Sequence, residues 1–332
     1  MKPIAIDLMG GDNAPSVVIE AMVRLSDEDK IPMIAVGTEE ALAKTEGIGS
    51  IVDRVVATEI IAMDDDPASS VRRKRDSSLV RCAELVRDGA ASGTFSAGNT
   101  GAAMAAALFK MGRIRGLTRP AIATTIPVPG GLPTVLLDSG ANAECTAQWL
   151  VQFAVMGSIF FQDRFGVESP RVGLLSIGEE ETKGSPLVKE TYELLRDDKR
   201  INFIGNVEGR DVMTDLVDVV VTDGFTGNVV LKTLEGATKT FARSVLEHLG
   251  SGDDGQAVLD LALPKLLPLV DHLRADAHGG GVLLGVRGLC MIGHGSSTPE
   301  GIYNAVHMTA GLVEMDLVHA LEAALNLGSG EE

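Results

Sequence analysis

The residues best suited to chemistry sit in short glycine-rich loops. Ser96-Ala97-Gly98-Asn99-Thr100-Gly101 sets hydroxyl and amide side chains among glycines, just before an alanine-rich stretch. N–H groups at a helix start carry partial positive charge and suit an anion such as phosphate; the alternative is an ordinary N-cap with a glycine turn. Thr222-Asp223-Gly224-Phe225-Thr226-Gly227-Asn228 repeats the design of strand, glycine-bracketed polar turn and long helix. Thr226 or Asn228 either caps that helix or helps hold an anion, and two such turns in one chain favour a shared anion site. In Glu179-Glu180-Glu181-Thr182-Lys183-Gly184-Ser185 the one cation is Lys183. It either offsets the charge of a bound phosphate or pairs with the neighbouring glutamates.

Two further loops complete the set. Asp138-Ser139-Gly140-Ala141-Asn142 follows an aliphatic run, and His294-Gly295-Ser296-Ser297 follows another. A Ser–His pair suggests a covalent nucleophile, yet the Gly-x-Ser-x-Gly elbow is absent. The segment is therefore a turn with Ser/Thr capping or, if His294 faces the cleft, a place to bind phosphate or handle a proton. No Walker A sequence, no Gly-x-Gly-x-x-Gly after the first strand and no His-Glu-x-x-His occur. Nucleotidase, dinucleotide-dependent redox and zinc-hydrolase chemistry lack their usual equipment, and neither cofactor nor metal is expected. Cys82, Cys145 and Cys290 are not spaced for a metal and read as buried thiols in a reducing cytoplasm.

A formal charge of −17 argues against nucleic acid as a partner, since few cations are available to displace counterions. Local basic zones stand out against it. Gly89 through Leu137 holds no carboxylate but carries Lys110, Arg113, Arg115 and Arg119, and Arg72-Arg73-Lys74-Arg75 forms a second cluster. These zones either dock an acidic partner or are paired within the chain.

Elements must exist to position these loops. With 332 residues, 45% hydrophobic but only 4% aromatic, the chain can bury a large aliphatic core in one domain or two intimately joined α/β lobes. Strands are predicted at Pro3–Asp7, Pro32–Gly37, Thr94–Ser96, Thr134–Asp138, Arg171–Ile177, Ile201–Gly205 and Val217–Thr222. Helices are predicted at Ser16–Leu25, Ser77–Asp88, Gly101–Lys110, Ala143–Phe161, Pro186–Leu195, Asn228–Leu249 and Pro299–Leu325. That alternation specifies an α/β fold, a mainly parallel sheet with helices on both faces. Ligands bind beyond the carboxyl ends of such strands, so the polar loops are expected to meet in one cleft. The charge-free run from Cys145 to Gln162 carries three glutamines and reads as a buried scaffold helix rather than a membrane span. The start of the chain lacks a signal-peptide pattern. Gln256–Arg274 has apolar residues at helical spacing, interrupted by Pro264 and Pro268; an amphipathic segment near 256–276 packs on a partner subunit or the core, or lies in a membrane interface.

In this order the motifs resemble the PlsX family, the phosphate acyltransferases of bacterial phospholipid synthesis. The resemblance extends from Ile6-Asp7-Leu8-Met9-Gly10-Gly11-Asp12 to Gly293-His294-Gly295-Ser296-Ser297, through Lys74-Arg75-Asp76-Ser77-Ser78, the Ser96, Asp138 and Thr222 loops and Gly205-Asn206-Val207-Glu208-Gly209-Arg210-Asp211. It implies a fold like the isocitrate and isopropylmalate dehydrogenases and phosphate acetyltransferase, and a homodimer. It also implies transfer of a fatty acyl group from acyl carrier protein to inorganic phosphate, with the acyl phosphate handed to a membrane glycerol-3-phosphate acyltransferase. Phosphate is already a nucleophile, so the protein need only hold it, aim it and stabilise the oxyanion. On that basis Lys183 and Asn228 make the central contacts. Ser96, Gly98, Asn99, Thr100, Thr226, His294 and Ser296 line the anion and substrate site, and Asp138, Asn142 and Asp223 fix loop geometry. Cytoplasmic location with weak peripheral membrane contact is expected, because Lys265 and Arg274 are offset by Asp260 and Asp271. Competing expectations are a phosphate acetyl- or butyryltransferase using coenzyme A, a decarboxylating dehydrogenase and a non-catalytic scaffold.

Overall fold

Aliphatic runs without alternation are what strands covered on both faces require, and here they build one eleven-stranded sheet. In chain order the strands are β1 (Ile4–Asp7), β2 (Met33–Gly37), β3 (Ile51–Val56), β4 (Gly93–Ser96), β5 (Ala121–Ile126), β6 (Thr134–Leu137), β7 (Arg171–Leu175), β8 (Asn202–Val207), β9 (Val219–Val221), β10 (Gly281–Leu284) and β11 (Leu289–Ile292). Across the sheet they lie in the order β3-β2-β1-β4-β11-β10-β5-β6-β9-β7-β8. The structure, a computed structural model, describes residues 1–272 and 279–326.

Helices cover both faces: α1 (Ser16–Arg24), α2 (Glu39–Ala43), α3 (Pro67–Arg73), α4 (Ser78–Arg87), α5 (Thr100–Ala106), α6 (Ala147–Phe165), α7 (Pro186–Asp197), α8 (Gly224–Leu249), α9 (Gly255–His272), α10 (Pro299–Glu314) and α11 (Leu317–Asn326). Strand alternation divides the core accordingly. Ile4, Ile6, Met33 and Ala35 belong to one apolar cluster, while Ala5, Ile34 and Val36 belong to another on the opposite face. In the second half of the sheet, Leu136 and Val220 pack toward Leu231 and Leu234 of α8. Val135, Val219 and Val221 instead share a cluster with Phe153 and Phe160 of α6. The charge-free run thus became α6, and no described helix is long and apolar enough to cross a membrane.

Strand direction departs from the expectation of one shared cleft edge. The pairs β11–β10, β10–β5 and β5–β6 are antiparallel, and three successive reversals turn β6, β9 and β7 against β1, β4 and β11. Loops after β1, β4 and β11 therefore leave one end of the sheet, and loops after β6, β9 and β7 leave the other. Hydrophobic runs mark strands but carry no record of their direction. The sequence pattern also passed over β3, β5 and β10. The last predicted helix divides into α10 and α11 where Asp316 takes a left-handed conformation at φ 54°, which ends α10. Helix α9 runs through both Pro264 and Pro268 as one element; positions 273–276 of the amphipathic segment lie outside the described residues.

Candidate functional site

At the first sheet end, the loops are held by their own polar groups. Ser96 Oγ donates to the buried Asp7 carboxylate at 2.7 Å and accepts from Gly98 N–H at 3.1 Å, while Met9 N–H donates to Asp7 at 3.0 Å. Burial raises the Asp7 carboxyl above its ordinary value, a shift that hydrogen bonds from Ser78, Ser96 and Met9 only partly offset. Gly10 must be glycine, because a Cβ there would lie 2.6 Å from the Gly98 nitrogen. Asn99 caps α5 by accepting from Ala102 N–H at 3.0 Å, and its amide donates to the carbonyls of Met63 and Asp65. Ser96 and Asn99 are thus engaged in loop structure, whereas Thr100 is exposed in the first turn of α5.

The second end is organised around Asp138, which has no exposed surface. Its carboxylate accepts from the N–H groups of Ile122, Gly140, Ala141 and Asn142 at 2.7–3.1 Å, and from the Asn142 side-chain amide at 2.9 Å. Burial still raises its pKa, with those bonds working in the other direction. Helix α8 starts beside it. Its cap is Asp223, which accepts from Thr226 N–H and Thr226 Oγ1, both at 2.8 Å. Neither Thr226 nor Asn228 is the cap, since the helix begins at Gly224 and carries Asn228 past its first turn. Contact at this junction is close enough that a Cβ at Gly227 would sit 1.9 Å from the Asp138 carbonyl oxygen.

Asn228 is exposed and lies over Gly140, where a Cβ would approach its side chain to 3.7 Å. Lys183 follows β7 and is also exposed; its backbone N–H donates to Glu180 at 2.9 Å, and among the described residues its ammonium makes no ion pair. Strand β9 lies between β6 and β7, so the Asp138 loop, the start of α8 and the Lys183 loop leave neighbouring strands on the same side. No hydrogen bond joins Lys183 to Asn228.

Helix α8 then runs over the sheet face toward the loop after β11. Asn228, Lys232, Glu235 and Lys239 recur at helical spacing and share one face. Lys232 Nζ meets His294 Nε2 and also donates to Glu235 at 2.9 Å; Glu235 Oε1 is 3.6 Å from His294 Nε2. Between α8 and the ends of β5, β10 and β11 lies a cavity of about 610 Å³. Ile126, Pro127, Met213, Leu231, Leu234 and Ala242 give it an apolar body; Thr124, Thr125, Glu235, Thr238, Lys239, His294, Ser296 and Ser297 supply polar groups. A few polar groups around an apolar body suit a mainly apolar ligand. His294 and Ser296 line this cavity. Lys183, Asn228, Ser96, Gly98, Asn99, Thr100, Asp138, Asn142, Asp223 and Thr226 do not. Sequence reasoning missed Lys232, Glu235 and Lys239, which the spacing from Asn228 along a predicted helix could have singled out.

The chain matches the family described as "Fatty acid synthesis protein" over residues 2–320. It is 43% identical over 324 residues to the phosphate acyltransferase of a Nostoc species, covering 96% of this chain and 95% of that one. A phosphate acyltransferase of Streptococcus agalactiae is 44% identical over 324 residues, covering 97% and 98%. The chain belongs to the phosphate acyltransferase family. Among solved structures, a phosphotransacetylase from Streptococcus pyogenes matches with a TM-score of 0.64 at 18% identity over 94% of each chain. A 4-hydroxythreonine-4-phosphate dehydrogenase from Klebsiella pneumoniae matches at 0.53 and 14% identity, over 94% of this chain and 100% of that one. These likenesses are of fold, and they join a phosphotransacetylase and a dehydrogenase in one architecture, as the loop motifs implied.

Other features of this phosphate acyltransferase family member bear on its chemistry. Cys82 and Cys290 are buried, but Cys145 is only half-buried. Burial pushes Cys290 up to about 11 and Cys145 up to about 12, so these thiols stay protonated near neutrality and are poor nucleophiles. The basic clusters split between their two readings. Lys110 pairs with Glu84 at 2.8 Å and Lys74 with Asp65 at 2.5 Å, while Arg119 stacks over Trp149. Among the described residues Arg72, Arg75 and Arg115 form no ion pair, while Arg73 acts on Asp65 through its charge and Arg72 stacks over Phe109.

Proposed function

We propose that this chain, acting as one catalytic unit over 1–332, transfers a long-chain fatty acyl group from acyl carrier protein to inorganic phosphate. The observation that carries this reading is the apolar cavity with polar groups at its rim, in a member of the phosphate acyltransferase family. An acyl chain fills the apolar body, and its thioester waits at the polar side. Phosphate attacks the carbonyl, the carbon–sulfur bond breaks, and acyl phosphate and free carrier leave. No covalent enzyme intermediate is needed, consistent with cysteines kept as thiols.

Lys183 offsets the phosphate charge, and Asn228 donates its amide N–H to the thioester oxygen as charge develops there. Both side chains are exposed, as a group that must meet substrate requires. Ser296 contributes its hydroxyl at the cavity, Thr226 lies on the Asn228 side, and Thr100 stands with the Ser96, Gly98 and Asn99 loop at the other sheet end. Asp138, Asn142 and Asp223 hold α8 in place. Arg72, Arg73 and Arg75 offer positive charge to an acidic carrier. A second copy covers the exposed Phe225, Val229 and Phe241 of α8. The protein works in the cytoplasm with weak, reversible contact at the membrane through α9, where a glycerol-3-phosphate acyltransferase takes the product.

The donor distinguishes this reading from that of a coenzyme A-dependent phosphotransacylase. Turnover with palmitoyl-acyl carrier protein should far exceed turnover with acetyl-coenzyme A at equal phosphate. Faster reaction with the coenzyme A thioester would overturn the choice of donor.

A further inference from the structure

We propose that His294 and Glu235 on the cavity rim form a proton relay with Lys232 beside them, in which His294 carries the phosphate proton to the departing sulfur. The proposal rests on the acyl-transfer reading and adds three residues to it with defined roles. The geometry fixes the starting state. An ammonium has three donors and no acceptor, so where Lys232 Nζ meets His294 Nε2, the ring nitrogen must accept. Glu235 accepts from Lys232 at 2.9 Å and lies 3.6 Å from His294 Nε2, which anchors the ammonium between a carboxylate and an imidazole. Helix α8 sets Lys232 and Glu235 one turn apart. From the opposite side, the backbone N–H of His294 donates to Ser297 Oγ at 2.9 Å and fixes the loop.

Stability does not explain the cluster. The side chains of Lys232 and His294 are 44% and 52% exposed, where ion pairs contribute little. The reaction, by contrast, needs one proton moved. Hydrogen phosphate dianion forms a new oxygen–carbon bond to the acyl group; the carbon–sulfur bond breaks, and sulfur leaves with the electron pair. The phosphate hydroxyl has a proton to lose and the thiolate has one to gain. When phosphate arrives, Lys232 turns from the ring to the anion. His294 Nε2 is freed to take the hydroxyl proton and pass it to sulfur, and no further reactant enters the balance. Lys232 and Glu235 of α8 face His294 directly; Lys239 lines the same cavity, and Asp12 lies beside the next residue, its carboxylate 3.2 Å from where a Cβ at Gly295 would sit. Glu300 of α10 is turned away to Arg24.

The test measures kcat against pH, phosphate KM and the melting midpoint in full-length His294→Gln, Lys232→Met and Glu235→Gln, with palmitoyl-acyl carrier protein as donor. His294→Gln should lose about 100-fold in kcat and the acidic limb of its profile, with phosphate KM within about twofold. Removing the nearby cation in Lys232→Met should move that limb to higher pH. Removing the anion in Glu235→Gln should move it to lower pH. A merely structural role would not give opposite shifts, and these two variants decide the matter if His294→Gln fails to fold. Parental kcat and acidic limb in His294→Gln, or no opposed shifts in the pair, would overturn the relay while leaving acyl transfer intact. A parent protein releasing no carrier thiol on adding phosphate would overturn the reading of the reaction, and the relay with it.

Discussion

Asp138 and Lys183 leave neighbouring regions of the same sheet end, yet they are opposite in kind. Asp138 is wholly buried and accepts five hydrogen bonds from four residues. Lys183 stands in solvent with no ion-pair partner among the described residues. The Ser96 loop resembles Asp138, whereas the exposed His294 rim is bonded within itself through Lys232 and Glu235. A polar group whose bonds are all made inside the protein holds shape; one left with unmet donors in solvent can act on a ligand.

The contrast can be broken by exchanging which property suffers. Lys183→Ala should lower kcat by roughly 10²–10³-fold, as expected for removal of one charge-stabilising donor, while the urea midpoint reports a stability change within about 0.5 kcal/mol. Asp138→Ala should do the reverse, costing about 3 kcal/mol in urea unfolding as buried N–H groups lose their acceptor; activity would fall only through displacement of α8. A smaller effect is expected of Ser96→Ala, about 1–2 kcal/mol by the same measurement, because Gly98 N–H and Asp7 each lose one partner. Substantial stability loss in Lys183→Ala, or none in Asp138→Ala, would erase the distinction.

The smallest effect concerns pH. Folding raises the Asp7 carboxyl above its ordinary 3.8 through burial, so the folded state holds that proton more tightly than the unfolded chain. The stability this confers is complete below about 3.8 and is lost as pH rises through the folded value. Asp7→Asn, which cannot ionise, should therefore show a flatter dependence of urea midpoint on pH above 4 than the parent. A steeper dependence would contradict the sign.

Much of this was legible beforehand, for identifiable reasons. Ile4-Ala5-Ile6 and Val219-Val220-Val221 could only be covered strands, and a helix had to follow Thr222, although it starts at Gly224 and not at Asn228. Direction was not legible: nothing in Ala121–Ile126 or Gly281–Leu284 announces that three pairings run antiparallel, since direction is set by connections across the whole sheet. Roles within the turns were half legible. The polar types at Ser96 and Asn99 are the same whether they bind a ligand or bind the fold, and only the positions of Asp7, Met63 and Asp65 decide. Lys232 and Glu235 escaped notice because exposed charges at helical spacing ordinarily form a solvated face; they matter because α8 brings them to His294, 62 positions from Lys232.

The central claim is that the acyl group goes to phosphate and not to water. Phosphorus-31 NMR of the protein with palmitoyl-acyl carrier protein and inorganic phosphate, read alongside release of carrier thiol, tests it most directly. The account predicts an acyl phosphate resonance growing in step with the thiol, and no thiol release when phosphate is withheld. Thiol released equally fast without phosphate, and with no new phosphorus signal, would mark a hydrolase and contradict it.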